Sequence, residues 1–137
     1  MTLTTYLNYG GNCEAALRFY EKSLGGKILM MSRFADSPAA GQFPPEMRNG
    51  IIHARIEIGG TVLMASDAPP DRYHPMRSAY LSLGCASSEE AERVHNILAD
   101  GGEIFMPLQE TFFAARFSML RDKFGTSWMI IHEKPMP

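Results

Sequence analysis

The sequence predicts an α+β protein made of two βαβββ modules. A gap-free internal repeat is the main observation: residues 11–30 and 87–106 match at six of twenty positions, at an offset of 76. The identical pairs are Glu14/Glu90, Ala15/Ala91, Gly25/Gly101, Gly26/Gly102, Ile28/Ile104 and Met30/Met106. Such a repeat decides the architecture, because each copy is one supersecondary unit. A chain of 137 residues that is 45% apolar and 20% charged can also bury a sizeable core.

The repeat continues downstream at shorter offsets. Ala54-Arg55 matches Ala115-Arg116 at an offset of 61. Gly60-Thr61 and Met64 match Gly125-Thr126 and Met129 at an offset of 65. Unequal offsets indicate similar elements joined by loops of different length. We therefore expect one domain over residues 1–137, with modules over 1–67 and 77–137 and a linker over 68–76.

The first module is predicted to contain a strand, a helix and three further strands. A strand over 3–9 leads to a helix with Asn12 as its N-cap, and Gly25-Gly26 ends that helix. A strand over 27–34 and a proline-rich loop over 36–50 follow. Two alternating segments, 51–58 and 61–66, flank Gly59-Gly60 and are predicted to form a hairpin.

The second module repeats that order. A strand over 79–85 precedes Ser87 and Glu90, which form a capping box before a helix that extends to Asp100. The pair Gly101-Gly102 ends this helix. Strands over 103–106, 114–121 and 127–133 complete the module.

Composition and charge exclude several classes of protein. No segment approaches 18 apolar residues, so no membrane span is expected, and the first nine residues lack the pattern of a signal peptide. A net charge of −2 argues against nucleic acid as a partner. The two cysteines, Cys13 and Cys85, cannot build a disulfide framework, and we expect both to be reduced in a cytoplasmic protein.

The third strand of the first module carries the most chemistry. His53, Arg55 and Glu57 share one face of it, because strand side chains alternate. They suit a proton-transfer group with His53 as base. They are equally compatible with a solvated face that holds an ordinary Arg–Glu pair. By the repeat, Arg116 and Ser118 are expected on the equivalent face of the second module.

The other histidines are weaker candidates. His74 lies in the linker and His95 on the second helix, where both are expected to be exposed, and His132 is expected to be partly buried. No metal-binding spacing such as HxH or CxxC occurs. Cys13 begins a helix, where a thiolate is stabilised, but no base is evident beside it.

Aromatic and sulfur side chains leave two interpretations open. Trp128 either packs on a helix or stacks on a ligand. Phe112-Phe113 is predicted to form a rim loop that would need a ligand or partner if it is exposed, although core packing explains it as well. The chain has ten methionines, which either fill the core or line a pocket.

Three stretches of the chain carry a family resemblance. They are residues 6–26 (YLNYGGNCEAALRFYEKSLGG), 53–67 (HARIEIGGTVLMASD) and 122–129 (DKFGTSWM). They resemble the PhnB-like branch of the vicinal oxygen chelate superfamily, which includes glyoxalase, bleomycin resistance proteins and extradiol dioxygenases. The resemblance implies half-barrel sheets around a concave interior that suits a small ligand. It also implies an isologous homodimer.

The resemblance further implies one divalent metal ion, held by His and Glu on the first and last strands and acting as a Lewis acid. The four ligand positions fall near Thr5, at Met64, near Tyr80 and at Met129. Thioether sulfur is a poor ligand for Zn²⁺, Ni²⁺, Mn²⁺ or Fe²⁺. We therefore expect neither a metal ion nor another cofactor. A shift of one residue, to Tyr6 or Ala79, would not restore a site.

We expect a small-molecule-binding protein of the glyoxalase and bleomycin resistance type that lacks the usual metal site. One alternative is a metal-independent lyase or isomerase with His53 as general base and Arg55 or Arg116 holding an oxyanion. The other is a structural or protein-interaction role. Since a buried arginine needs a partner, the ligand is expected to be anionic or to carry a carbonyl group.

The ligand pocket is expected between the two sheets. Its predicted lining is His53, Arg55, Met64, Tyr80, Arg116, Trp128 and Met129. Because neighbouring strand residues point to opposite faces, one of Trp128 and Met129 is expected to lie outside it. The expected partners are this small molecule and a second copy of the chain, with neither nucleic acid nor a membrane.

Overall fold

Two compact units make up the chain, residues 1–75 and 76–137. The computed structural model describes residues 1–135. Each unit is a four-stranded sheet with one α-helix, in the order strand, helix, strand, strand, strand. The predicted α+β class and the two βαβββ modules are therefore confirmed.

Unit 1 contains β1 (Tyr6–Tyr9), α1 (Cys13–Ser23), β2 (Lys27–Arg33), β3 (Ile51–Ile58) and β4 (Thr61–Asp67). Its sheet has the order β1-β4-β3-β2, with β1 parallel to β4 and the other pairs antiparallel. The first strand begins at Tyr6, three residues later than predicted. The predicted loop over 36–50 contains short 3-10 turns at Ala40–Gln42 and Pro45–Met47.

One face of this sheet packs against α1. The buried stripe of the helix consists of Cys13, Ala16, Leu17 and Tyr20. The buried strand residues on the same side of the sheet include Leu7, Ala54, Ile56, Leu63 and Ala65. The alternation predicted for the third strand is therefore present, with Ala54 and Ile56 facing the helix.

A buried carboxylate joins three parts of unit 1. Asp67, at the end of β4, is 4% exposed. Its Oδ1 accepts hydrogen bonds from the backbone N–H groups of Gly11 (2.9 Å) and Cys13 (3.0 Å), and its Oδ2 accepts one from Ile51 (2.9 Å). Asn12 occupies the predicted N-cap position, but the side chain that caps the helix is that of Asp67. This cap comes from 54 residues away, so local sequence could not reveal it.

Unit 2 contains β5 (Leu81–Gly84), α2 (Ser88–Ala99), β6 (Glu103–Gln109), β7 (Ala114–Arg121) and β8 (Ser127–Glu133). Its sheet has the order β5-β8-β7-β6, with β5 parallel to β8. The predicted capping box is present: Ser87 Oγ accepts from Glu90 N at 3.0 Å, and the Glu90 carboxylate accepts from Ala86 N at 3.1 Å.

The core of unit 2 lies between α2 and one face of its sheet. The largest buried side chains there are Leu98, Leu120, Trp128 and Ile130. Asp122 is the second organising carboxylate: it accepts from Thr126 N at 3.0 Å and from the Trp128 indole Nε1 at 2.9 Å. Gly102 is required because a Cβ there would collide with the carbonyl oxygen of Arg121.

The helices α1 and α2 are short. Among the described residues, no helix is both long and apolar enough to cross a membrane.

Candidate functional site

Each sheet has a second face that does not pack on its helix, which we call the open face of the unit. In unit 1, Leu7, Ala54 and Ala65 point to the helix, so their strand neighbours point to the open face. The open face of unit 1 therefore carries Tyr6, Asn8, His53, Arg55, Glu57, Met64 and Ser66. Asn8 and Ser66 are joined by a side-chain hydrogen bond of 3.0 Å.

A row of four residues crosses this open face. Arg55 on β3 pairs in register with Met64 on β4 and with Met30 on β2. Met64 in turn pairs with Tyr6 on β1. Arg55 is thus flanked by two methionines, with a tyrosine at the end of the row.

Tyr6 and His53 form a ring pair on this face. The Tyr6 hydroxyl lies 3.1 Å from His53 Nδ1, and the two rings stack with centroids 5.7 Å apart and an angle of 24°. Tyr6 is 43% exposed, so the pair is accessible to solvent. This contact holds the imidazole plane in place. Sequence analysis identified His53 but missed Tyr6 as its partner, since β1 reaches β3 only through the parallel pairing with β4.

Arg55 is exposed on this face. Among residues 1–135, no ion pair joins it to Glu57 or to another carboxylate. The Arg–Glu pair considered from the sequence is therefore not formed there. A guanidinium with free donors can bind a carboxylate or another oxyanion through two parallel hydrogen bonds.

The open face of unit 2 has a different composition. Met119 on β7 pairs in register with Met129 on β8 and with Met106 on β6. Ser82 on β5 pairs with Met129. The row equivalent to Met30–Arg55–Met64–Tyr6 is therefore Met106–Met119–Met129–Ser82, and a thioether replaces the guanidinium.

The expected position of Arg116 and Ser118 is wrong. Ser118 is fully buried and lies 2.8 Å from His95 Nδ1 on α2, and Arg116 contacts Glu92 of the same helix at 3.4 Å. Both residues are thus on the helix side of the sheet. The dipeptide match at an offset of 61 was misleading, because strand pairing makes Met119 the equivalent of Arg55.

Two residues of the predicted pocket, Tyr80 and Trp128, do not belong to the row Met106–Met119–Met129–Ser82. Tyr80 precedes β5 and is half-buried, and Ser82 takes the position across from Met129. Trp128 is 1% exposed and points to the core of unit 2, where Asp122 accepts its N–H. Met129 points to the opposite face. Trp128 and Met129 thus point to opposite faces of the sheet, as the alternation of strand side chains predicts.

The remaining histidines and cysteines occupy structural positions. His95 is 7% exposed, so its predicted exposure is wrong, and burial lowers its pKa. His132 is half-buried and its Nδ1 lies 3.0 Å from the carbonyl of Cys85, while His74 is exposed. Burial, reinforced by the charges of Asp67 and Glu14, raises the pKa of Cys13 to about 12. Cys13 is therefore a thiol and not a nucleophilic thiolate.

The sequence left a rim loop and core packing open for Phe112-Phe113, and the structure shows both side chains exposed. Phe112 is 92% exposed and contacts the ring of Phe113 edge-on at 5.1 Å. Phe113 in turn contacts Phe117 at 5.1 Å. In unit 1, a cavity of about 340 Å³ lies among the 3-10 turns and is lined by Ala40, Gly41, Phe43, Pro45 and Arg48. None of these lining residues belongs to the open face.

In the described part of the chain, the open faces lack the ligand set of the divalent metal ion that the resemblance implies. Strand pairing places Tyr6 and Met64 together in unit 1, and Ser82 and Met129 together in unit 2. Phenol, hydroxyl and thioether groups are poor ligands for Zn²⁺, Mn²⁺ or Fe²⁺. Within the described residues, no three His, Cys, Asp or Glu side chains form a cluster suited to a metal ion. The donor set does not fit that metal ion.

Comparisons with known proteins agree with this architecture. The sequence profile of the Glyoxalase/Bleomycin resistance protein/Dioxygenase superfamily matches residues 3–130. Protein YjdN of Escherichia coli K12 is 36% identical over 145 residues, covering 100% of this chain and 99% of YjdN.

Two solved structures are similar over nearly their whole length. Protein PA1353 of Pseudomonas aeruginosa has 40% identity and a TM-score of 0.88, with 98% of this chain and 99% of that chain covered. The PhnB protein of Bacillus cereus has 29% identity and a TM-score of 0.83, with 96% of this chain and 99% of that chain covered.

Proposed function

Because the chain belongs to the Glyoxalase/Bleomycin resistance protein/Dioxygenase superfamily, we propose that it binds a small molecule at the open face of unit 1. The ligand is partly apolar and carries a carboxylate or carbonyl oxygen. Binding proceeds without the divalent metal ion that the resemblance implies. The proposal concerns a binding protein, and it needs no catalytic group.

The environment of Arg55 is the observation that carries this proposal. Its guanidinium lies on an accessible face without a carboxylate partner, between the thioethers of Met30 and Met64 in the row. An oxyanion satisfies the guanidinium through charge-assisted hydrogen bonds. The two methionines offer flexible, polarizable surface to the apolar part of the ligand. A few polar anchors in an apolar surround are typical of small-molecule sites.

The experiment measures ligand-induced stabilisation. Matched pairs of small carboxylic acids and their methyl esters are screened by thermal denaturation at fixed protein concentration. We expect acids to raise Tm more than their esters, and Arg55→Met to abolish the difference because it copies the methionine of unit 2. Arg72→Met, at an exposed linker arginine, is the control and should behave like the wild type. Equal responses of the Arg55 and Arg72 variants would contradict the proposal.

The Tyr6–His53 contact favours a second candidate, a metal-independent lyase or isomerase. In the tautomer where Nδ1–H donates to the Tyr6 hydroxyl oxygen, Nε2 keeps a free lone pair and can accept a proton from a bound substrate. Arg55 would then stabilise the oxyanion that forms. Tyr6 is the positioning residue, because it acts through the imidazole.

The two candidates differ in what His53 does. If the protein is an enzyme, His53→Ala abolishes turnover of a ligand found in the screen while binding persists, and Tyr6→Phe lowers kcat more than it raises KM. If it is a binding protein, no turnover is found and both variants change affinity alone. A structural or protein-interaction role would be indicated by the absence of any stabilising ligand.

A further inference from the structure

We propose that the connection between β2 and β3, residues 34–50, forms a binding site for a single-ring aromatic carboxylate. We call this segment the long loop. The ring of the ligand occupies the cavity lined by Ala40, Gly41, Phe43 and Pro45, and its carboxylate binds the guanidinium of Arg48. None of these residues lies on an open face, so the site does not rest on the function proposed above.

The internal repeat shows that the sheet does not need a connection of this length. In unit 2, the equivalent strands β6 and β7 are joined by residues 110–113 alone. In unit 1, β2 ends at Arg33 and β3 begins at Ile51, so the long loop has seventeen residues where unit 2 has four. Loops longer than about 12–15 residues are uncommon in compact domains, and ordered ones are often functional. The added residues therefore indicate a role beyond joining two strands.

Backbone hydrogen bonds and an aromatic contact hold the long loop in a defined shape. The N–H of Phe34 donates to the carbonyl of Gly50 at 3.1 Å, and the N–H of Ala35 donates to that of Arg48 at 3.0 Å. These two bonds close the loop at its base. Inside the loop, the rings of Phe34 and Phe43 meet edge-on with centroids 4.7 Å apart. The cavity is thus formed before a ligand binds, which lowers the entropic cost of binding.

The base of the long loop lies beside α1. A Cβ atom placed on Gly50 would lie 3.2 Å from Asp67 Oδ2 and 3.5 Å from the Phe34 ring. The same carboxylate of Asp67 accepts the N–H of Cys13 at the start of α1. This contact places the base of the loop on the helix side of unit 1, whereas Arg55 faces the open side.

The size and lining of the cavity favour one aromatic ring. Its volume of about 340 Å³ is more than twice the roughly 150 Å³ that holds benzene in an engineered protein cavity, so a ring with one substituent fits. Phe43 is half-buried and can contact a ligand ring edge-on or offset, and Pro45 adds a flat apolar surface. Ala40 and Gly41 are small and leave space for the ring.

Arg48 supplies the charge that selects a carboxylate. Its side chain is exposed, and among residues 1–135 no carboxylate forms an ion pair with it. Its backbone is fixed on both sides, because its N–H donates to the carbonyl of Pro45 at 3.2 Å and its carbonyl accepts from Ala35. A guanidinium binds both oxygens of a carboxylate through two parallel hydrogen bonds. An aromatic acid therefore matches both the ring-sized cavity and the cation beside it.

Residue-resolved NMR of the full chain tests this site. ¹⁵N-labelled protein with assigned amide signals is titrated with benzoate and, separately, with benzamide, which has the same ring without the charge. We expect benzoate to shift the amide signals of Gly41, Phe43 and Arg48 along saturating curves, with an affinity about tenfold or more above that of benzamide. Arg48→Gln should weaken benzoate binding by a similar factor, because it removes the charge and keeps the backbone hydrogen bonds of the loop. Arg77→Gln, at an exposed arginine outside the loop, is the matched control and should bind benzoate as the wild type does.

The outcomes distinguish the long loop from the open face of unit 1. An acid that binds both would shift two groups of amides, each with its own saturation curve, and Arg55→Met would remove only the group around Arg55. Shifts in the long loop that persist in Arg55→Met support the proposal, whether or not the acid and ester screen finds a ligand. Benzoate shifts confined to the open face, or no shifts in the long loop up to the solubility limit of benzoate, would overturn it. Equal affinities for benzoate and benzamide, or equal losses in Arg48→Gln and Arg77→Gln, would overturn it too.

Discussion

Replacing Asp67 by asparagine tests the role of the buried carboxylate in unit 1. The two side chains have the same shape, so no cavity is created. The carboxylate accepts three backbone hydrogen bonds, two on Oδ1 and one on Oδ2. An asparagine has one carbonyl oxygen. If that oxygen takes the place of Oδ1 and keeps the bonds from Gly11 and Cys13, the amide N–H₂ group lies at the position of Oδ2. A donor then faces the N–H of Ile51, and no hydrogen bond can form there.

The expected loss of stability follows from those three contacts. A hydrogen bond to a charged group contributes about 1.5–3 kcal/mol, and Asp67→Asn removes one and leaves its buried donor unsatisfied. The two remaining bonds become neutral, and the negative charge near the N-terminus of α1 is lost, which costs up to about 1 kcal/mol more. We expect the free energy of unfolding to fall by about 3 kcal/mol.

Urea unfolding followed by circular dichroism measures this change. The midpoint should fall without a change in the slope, because the surface exposed on unfolding is the same. Asp71→Asn, at an exposed carboxylate of the linker, is the control and should change stability by less than about 0.5 kcal/mol. A change below about 1 kcal/mol in Asp67→Asn, or equal losses in both variants, would refute the reasoning.

Four further predictions concern titration, metal content and assembly. Hydrogen bonds from Arg33 and then Arg18 lower the pKa of Glu14 from 4.5 to about 2; the stability it contributes is therefore present above pH 4.5 and lost as pH falls towards 2. Solvent screening limits this contribution to about 1 kcal/mol, and Glu14→Gln should remove that part of the acid dependence in urea titrations. Burial lowers the pKa of His95 below 6.5, so the stability contributed by the neutral imidazole is present above pH 6.5 and is lost as pH falls below it. His95→Asn should therefore flatten the dependence of stability on pH below 6.5. Purified protein should contain no stoichiometric Zn, Ni, Mn or Fe, and one such ion per chain by elemental analysis would show that the ligand positions are misassigned. Light scattering should give the mass of a homodimer, as the resemblance to the superfamily implies; a monomer mass at micromolar concentration would contradict this.

Local signals predicted most of the fold. Glycine pairs ended both helices, the Ser87 capping box formed as expected, and the hairpin across Gly59-Gly60 has the predicted strands. Each of these depends on residues within a few positions of one another. Such features can be predicted from a single sequence because they are determined by residues close together in the chain.

Features that join distant parts of the chain were missed. Two such contacts are the cap from Asp67 to Cys13 and the contact of Tyr6 with His53. Neither has a local signature, because both depend on the parallel pairing of β1 with β4, the first and last strands of unit 1. The error over Arg116 has another cause. A two-residue match at an offset of 61 was given more weight than strand pairing. Arg55 pairs with Met64 and Met119 pairs with Met129, so the match of Met64 to Met129 makes Met119 the equivalent of Arg55, at an offset of 64.

The parallel pairing of β1 with β4 also sets an order of events during synthesis. Tyr6–Tyr9 leaves the ribosome before the other strands of unit 1, yet its partner strand ends at Asp67. Strand β1 therefore stays unpaired until most of unit 1 has been translated, whereas β3 and β4 can pair as soon as both have emerged from the ribosome. Closing a loop of this length costs entropy before any pairing offsets it. During synthesis, β1 is thus the part of unit 1 that is exposed longest to chaperones and proteases. Unit 1 is complete only when Asp67 has been translated and β1 has paired with β4.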